Sequence, residues 1–409
     1  MNYKSRILTA IATGAVLVGT LAPLASADTV NVTGNGALSN SAVNVSNSSS
    51  TVVNQTNNAN ISNNINSNAS TGGNSGSFNT GGNTTIKTGD ANNTINVTNA
   101  ANMNQATVSC GCTVGGGTNV SVTGNGAESS NGVSANNANQ VFLNQGNNAN
   151  FNNRVNANSS TGKNDSSFET GGSSVIVSGN ATTNVSVNNA ANANVANVGG
   201  NGGSSDPSSV TITGNGALSS NGVALDQNSA VVLNQANDAN IRNDIKANAK
   251  TGFNQEQFNT GGNNGIESGN ATDNVKVNNL ANFNVADVNC DCTLSDLAVK
   301  VGGNGAESDN AVDASSSNSV FPNQINDEGI WNGVNGGSKT GDNSLGFGTG
   351  SVFGDPVIFS GNGSSSTDVN NVGNVNSLNN GNSVSIPGTN FGFDFDLNGL
   401  MSFLGNLTV

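Results

Sequence analysis

Thr33-Gly34-Asn35-Gly36-Ala37 returns as Thr123-Gly124-Asn125-Gly126-Ala127 and as Thr213-Gly214-Asn215-Gly216-Ala217. A variant, Gly302-Gly303-Asn304-Gly305-Ala306, opens a fourth copy. Other columns keep the same step: Asn54-Gln55, Asn144-Gln145, Asn234-Gln235 and Asn323-Gln324, then Phe78, Phe168, Phe258 and Phe347, spaced 90, 90 and 89 residues apart. A three-residue insertion in copy four moves the column of Gly89, Gly179 and Gly269 on to Gly361. After it the columns agree again at Val97, Val187, Val277 and Val369. Self-similarity at a fixed period marks a repeat architecture, in which each unit buries its apolar face only against its neighbours.

The conserved columns have a period of two. Val30-Asn31-Val32, Ile95-Asn96-Val97, Val185-Ser186-Val187 and Val275-Lys276-Val277 alternate apolar and polar, the pattern of a half-buried strand. Their β-branched residues suit a pleated surface. Thr-Gly-Asn, Thr-Gly-Gly and Ser-Gly-Asn corners separate the runs, and Gly and Asn tolerate the positive φ of tight turns. The pattern predicts short strands near residues 30, 43, 52, 61–65, 78, 86 and 95, and no helix after the first 27 residues.

Composition limits the core. Hydrophobic residues make up 33% of 409, aromatics 4% and charged residues 9%, against about 45–50% apolar in an ordinary globular domain. A thick core is excluded; one that is one or two side chains wide is not. The fold class expected is therefore all-β, a parallel β-solenoid (β-helix-like) built from four repeats, with Asn at matching heights forming amide ladders. Because 90 residues is long for one coil, each copy is expected to hold several. Tandem β-sandwich domains are the alternative, disfavoured by the shortage of large apolar residues.

Residues 1–27 read as a secretory signal peptide: Lys4 and Arg6, an apolar stretch from Ile7 to Leu24, and Ala25-Ser26-Ala27 at the cleavage point. The repeats then span 28–118, 119–208, 209–296 and 297–383, and 384–409 forms a C-terminal segment. No later stretch approaches the roughly 18 apolar residues of a membrane span, so no transmembrane segment is expected after cleavage. The net charge of −14 becomes −16 once Lys4 and Arg6 are removed. Scattered bases in an acidic chain argue against nucleic acid and anionic lipid.

Four cysteines form Cys110-Gly111-Cys112 and Cys290-Asp291-Cys292. In an exported chain they are disulfide candidates, with the pairing open. Two thiolates and no His make a poor metal site, so no metal and no cofactor is expected. The absence of His also removes His-based triads, and no enzyme activity is expected. Copy four is the most divergent, with Pro322 in the column of Leu143 and Leu233, and Trp331 in that of Ser62, Asn152 and Arg242. It is expected to cap the stack. Phe391, Phe393, Phe395, Leu397 and Phe403 are the large apolar residues of the C-terminal segment. They are candidates for a cap, or for assembly by strand addition.

The order Thr33 to Ala37, Asn54-Gln55-Thr56-Asn57-Asn58-Ala59-Asn60, Thr71 to Asn74, Asn79 to Gly82 and Thr88 to Ala91 resembles the Asn/Gly-rich repetitive secreted surface proteins of ultrasmall candidate-phylum (Patescibacteria-type) bacteria. The likeness covers nearly all of residues 28–380. It implies a secreted or cell-surface location and no assigned activity. A weaker likeness is to curlin repeats: Ser49 to Gln55 and Ser229 to Gln235 keep the S-x5-Q spacing, while Asn57, Asn147 and Asn237 stand where curlin has Gly. The expected function is structural, a component of a surface layer or filament that self-associates or joins other envelope proteins. The alternatives are an adhesin for a host surface or polysaccharide, and a curli-like functional amyloid.

Overall fold

The computed structural model describes residues 19–21, 29–108, 119–199, 208–289, 297–349 and 356–379. These residues contain no helix, so none long and apolar enough to cross a membrane. Every described strand pairing is parallel, and every one except that of Gly19–Leu21 joins one copy to the next. The first copy contributes Thr29–Thr33, Asn40–Ser70, Ser75–Ser77, Thr84–Lys87 and Ala91–Val108. Each of these strands stacks on its equivalent, as Asn63 on Asn153, Asn243 and Asn332. The chain is a parallel β-solenoid, as the repeat logic predicts.

Its coil differs from the expected one. One copy makes one coil, not several: no described strand pairs with another strand of its own copy. The tandem sandwich is excluded by the same fact. Seven short strands per copy are replaced by five, because the columns from 43 to 65 lie in one continuous strand of 31 residues. The copy stays flat because its strands fold back within the plane as arches, meeting through side chains and leaving backbone groups to the layers above and below. Four copies give four layers.

Three arches divide each layer. In the first, Thr29–Thr33 turns back at Gly34 (φ 70), and Val30 and Val32 pack on Val43 and Val45. In the second, the far half of the long strand faces the return strand Ala91–Val108: Val53 with Val108, Ile61 with Ala101, and Ile65 with Val97. The third is small, Ser75–Ser77 and Thr84–Lys87, around Ile86, Ile176 and Ile266. The corner at Gly72, Gly162 and Gly252 has φ near 100° (107, 98 and 98). A Cβ on Gly162 would lie 2.0 Å from the Gly252 carbonyl oxygen. Only glycine permits that approach between layers.

Copy four is a full layer with five strands, Ala298–Gly302, Asp309–Lys339, Ser344–Gly346, Val357–Phe359 and Gly363–Asn379. The insertion lies between Thr349, which still bridges Thr260, and Val357, which pairs with Gly265. Pro322 sits inside a strand, at the edge of the stack where proline is tolerated. Gly19–Leu21, within the segment read as the signal peptide, pairs with Ala106–Val108 on the layer-one edge.

Candidate functional site

The interior of the main arch alternates apolar and amide rows. Asn63 Nδ2 donates to Asn99 Oδ1 across the arch (2.9 Å) and to Asn153 Oδ1 in the next layer (2.7 Å). Asn99 Nδ2 donates to Asn153 Oδ1 (2.9 Å) and Asn189 Oδ1 (2.7 Å). Asn153 repeats the scheme with Asn189 (3.0 Å) and Asn243 (2.7 Å). In layers two and three each of these amides gives two bonds and accepts two, the full side-chain capacity of Asn. Asn57 and Asn104 begin a second double ladder of the same form, with bonds of 2.9 to 3.1 Å. Gln145, Gln235 and Gln324 each donate to the Gln one layer below, at 2.7, 2.8 and 2.7 Å. Asn153, Asn243 and Asn194 are fully buried. A buried amide is costly unless bonded; in these rows the bonds come from the equivalent residues of the neighbouring layers, and this register satisfies them.

A kink keeps the two arms in step. Asn102, Asn192, Asn282 and Asn374 have φ of 63, 58, 62 and 58, a conformation Asn adopts more readily than most residues. The alternation shifts there, so Ala101 and Asn104 both face the long strand. The amides of Asn102, Asn192 and Asn282 donate to the backbone carbonyls of Asn148, Asp238 and Asp327 in the layer above. On the outer side the kink leaves a shallow apolar groove along the stack, lined by Ala100, Met103, Ala190, Ala193, Leu280 and Phe283.

The phenylalanine column is a corner, not the strand expected near residue 78. Phe78, Phe168, Phe258 and Phe347 have φ of 64, 61, 53 and 54. Their rings stack with centroids 5.0 Å apart, and all four are exposed. The left-handed backbone strains a residue with a Cβ; ring stacking along the axis offsets part of that.

Four acids stand in inner columns, and sequence reasoning missed them. Glu256 follows Gly76 and Ser166 in its column, in the small third core. Burial pushes its carboxyl up to about 7, against the opposing hydrogen bond from Ser174. Asp273 follows Asn93 and Thr183; burial raises it to about 6, opposed by bonds from Ser365 and the Gly337 backbone. Glu328 stands in the column of Ala59, Ala149 and Ala239, and burial raises it too. Glu169 is 2% exposed, and neither of its carboxylate oxygens has a partner. Glycines make room for two of these acids. A Cβ on Gly336 would lie 2.5 Å from Asp273, and one on Gly373 would lie 2.0 Å from Glu328. No three acids come together in a cluster that could hold a metal among the described residues.

The two ends of the stack differ from its middle. In layer one, Asn57 and Asn63 are each 8% exposed, yet no described residue donates to their side-chain oxygens, because no described layer lies beneath them. At the other end, Asn332 Nδ2 donates across the arch to Asn371 (3.2 Å) but to no described residue along the axis. The inner Asn ladders are therefore polar: amide N–H groups point out of the layer-four edge and carbonyl oxygens out of the layer-one edge.

Cys110, Cys112, Cys290 and Cys292 lie outside the described residues, as do Phe391, Phe393, Phe395, Leu397 and Phe403. Among the described residues, what the structure brings together is the amide rows and the two open edges. No protein-family model, no curated protein and no solved structure matches this chain.

Proposed function

We propose that this chain is a secreted structural component of the cell surface, a rod that builds a filament or surface layer. The observation that supports it most is the self-satisfaction of the interior. Successive copies spend their buried amides on one another, layer after layer. The acidic surface suits a soluble rod that stays dispersed until its edges meet. The signal-like segment and the resemblance to secreted repeat proteins support the location.

Immunogold labelling of intact source cells, with cryo-tomography, tests the proposal. Regular filaments or a lattice carrying the label are expected. A patchy or polar distribution without a lattice counts against it and favours an adhesin for a host surface or polysaccharide. A second reading, a curli-like functional amyloid, is favoured by the in-register parallel rows facing each other across a buried seam of apolar and amide side chains. Thioflavin binding together with SDS-resistant polymer separates that reading from a reversible filament.

A further inference from the structure

At two glycines of the layer-one edge an added Cβ would meet no described residue of its own molecule. Gly126, Gly216 and Gly305 each touch the layer beneath: a Cβ there would sit 2.4, 2.4 and 2.3 Å from the backbone nitrogen of Ala37, Ala127 and Ala217. Gly36 is their equivalent in layer one, and a Cβ on it would meet nothing within 4 Å. Its φ lies outside the left-handed region, so the backbone does not demand glycine either. The same holds for a second column. A Cβ on Gly179, Gly269 or Gly361 would collide with the glycine one layer down, at 2.5, 2.3 and 2.2 Å. Gly89, in layer one, faces open space. Both edge positions are what they would be if another layer lay beneath them.

The polar groups of the edge point the same way. Asn57 and Asn63 are nine-tenths buried, and their free oxygens are aimed out of the layer-one edge. The layer-four edge carries the missing donors, the axial N–H of Asn332 and the Nδ2 of Asn371, which donates to no described residue. We propose that the layer-four edge of one molecule seats on the layer-one edge of a second copy, with Asn332 meeting Asn63 and Gly305 lying against Gly36. This names the partner and the interface for the rod proposed above, and rests on that reading.

Charge favours this polarity over a junction of like ends. Residues 29–108 carry one base and one acid, Lys87 and Asp90, whereas residues 297–379 carry two bases against eight acids. Joining two layer-four edges would oppose acidic surfaces; joining layer four to layer one opposes an acidic layer to a neutral one. Like ends would also set donor against donor. A junction between different surfaces of the same molecule does not close and grows as an open filament. The described residues on the layer-one edge other than layer one itself are Gly19–Leu21, inside the segment read as the signal.

The test uses residues 28–409 as wild type, Gly36→Ala, Gly89→Ala and the double variant, followed by sedimentation and negative-stain imaging across a concentration series. Wild type is expected to form filaments above a critical concentration. The double variant is expected to raise that concentration at least ten-fold, with unchanged far-UV circular dichroism and melting point, since neither Cβ touches anything in a single molecule. Assembly of the double variant at the wild-type concentration would overturn this interface and leave the structural reading standing. A wild type that stays monomeric at every concentration would overturn both.

Discussion

Layers two and three have a layer on each side; layers one and four have one each. In the middle layers the inner amides are bonded axially and across the arch, and the arch cores are buried. Layer four keeps the ladder residues Asn326, Asn332, Asn371 and Asn376 but changes much else: Trp331 for Arg242, Gly336 for Ala247, Glu328 for Ala239. The difference teaches which columns hold the stack together. The inner ladder amides and the corner glycine of Gly162, Gly252 and Gly341 persist to the last layer, while several columns that fill volume, such as Ala239 to Glu328, drift.

Substituting one glycine column at two heights breaks this comparison most sharply. Gly162 and Gly341 have similar φ, 98° and 93°. A Cβ on Gly162 lies 2.0 Å from the carbonyl of the next layer, whereas one on Gly341 meets only the Ser360 hydroxyl at 3.2 Å. Gly341→Ala should cost only the left-handed strain, about 1–2 kcal/mol. Gly162→Ala adds a backbone collision and should reach the exceptional range above about 4 kcal/mol, or abolish folding. Chemical denaturation of dilute monomer measures both. Equal losses would mean that the layers do not approach as closely as described.

The amide rows give the next largest contrast. Asn153→Ala removes four hydrogen bonds between fully buried amides and leaves each neighbour half satisfied, a loss on the order of 3 kcal/mol. Asn332→Ala removes bonds at a solvated edge, where water replaces them, and should cost under about 1 kcal/mol. Denaturation midpoints with unchanged slopes would confirm that the difference lies in stability and not in the unfolded state.

Much of this was legible in the chain, and the failures have physical causes. Val30-Asn31-Val32 and Ile95-Asn96-Val97 declare strands by alternation, and the Thr-Gly-Asn corners declare turns. The polar stretch Asn47-Ser48-Ser49-Ser50-Thr51 looks like a break between strands, because its intrinsic β preference is low. Pairing with the equivalent stretch of the next copy overrides that preference. Phe78 looks like a buried strand residue because it is large; it is an exposed corner whose ring is covered by the ring above. Amide ladders could be foreseen, but not which Asn would form them. Asn occupies both faces, with Asn54 outside and Asn57 inside, and the kink at Asn102 resets the parity of the return strand. The inner acids leave a trace only in paired columns: Asp273 enters where Gly336 replaces Ala247, and Glu328 where Gly373 replaces Ala281. A single column shows neither exchange.

Those acids set a pH dependence centred on layer three. Glu256 and Asp273 are raised in the folded state, from 4.5 to about 7 and from 3.8 to about 6. The folded chain therefore holds protons that the unfolded chain has released, and by linkage their stabilising effect is complete below about pH 4 and lost as pH rises through 6 and 7. The melting temperature should fall between pH 4 and pH 8, then level off with respect to these groups. Glu256→Gln and Asp273→Asn should each flatten the profile, and the double variant should remove most of the slope. A profile unchanged by both would place the titration elsewhere.

The smallest expected effect belongs to a column where layer four differs without breaking a ladder. Trp331 sits over Arg242, with the guanidinium carbon 4.4 Å from the ring centroid, and half of Trp331 is exposed. An exposed cation–π contact is worth about 0.5–1 kcal/mol. Trp331→Ala should cost about that amount, and Arg242→Ala in the Trp331→Ala background should cost almost nothing more, because the contact is already gone. The column carries Ser62 and Asn152 in the other layers, so neither change disturbs an amide row. A double-mutant cycle with a coupling near zero would show that the indole covers its own layer and not the arginine beneath it. A coupling close to the full loss would show that even drifting columns add adhesion between layers.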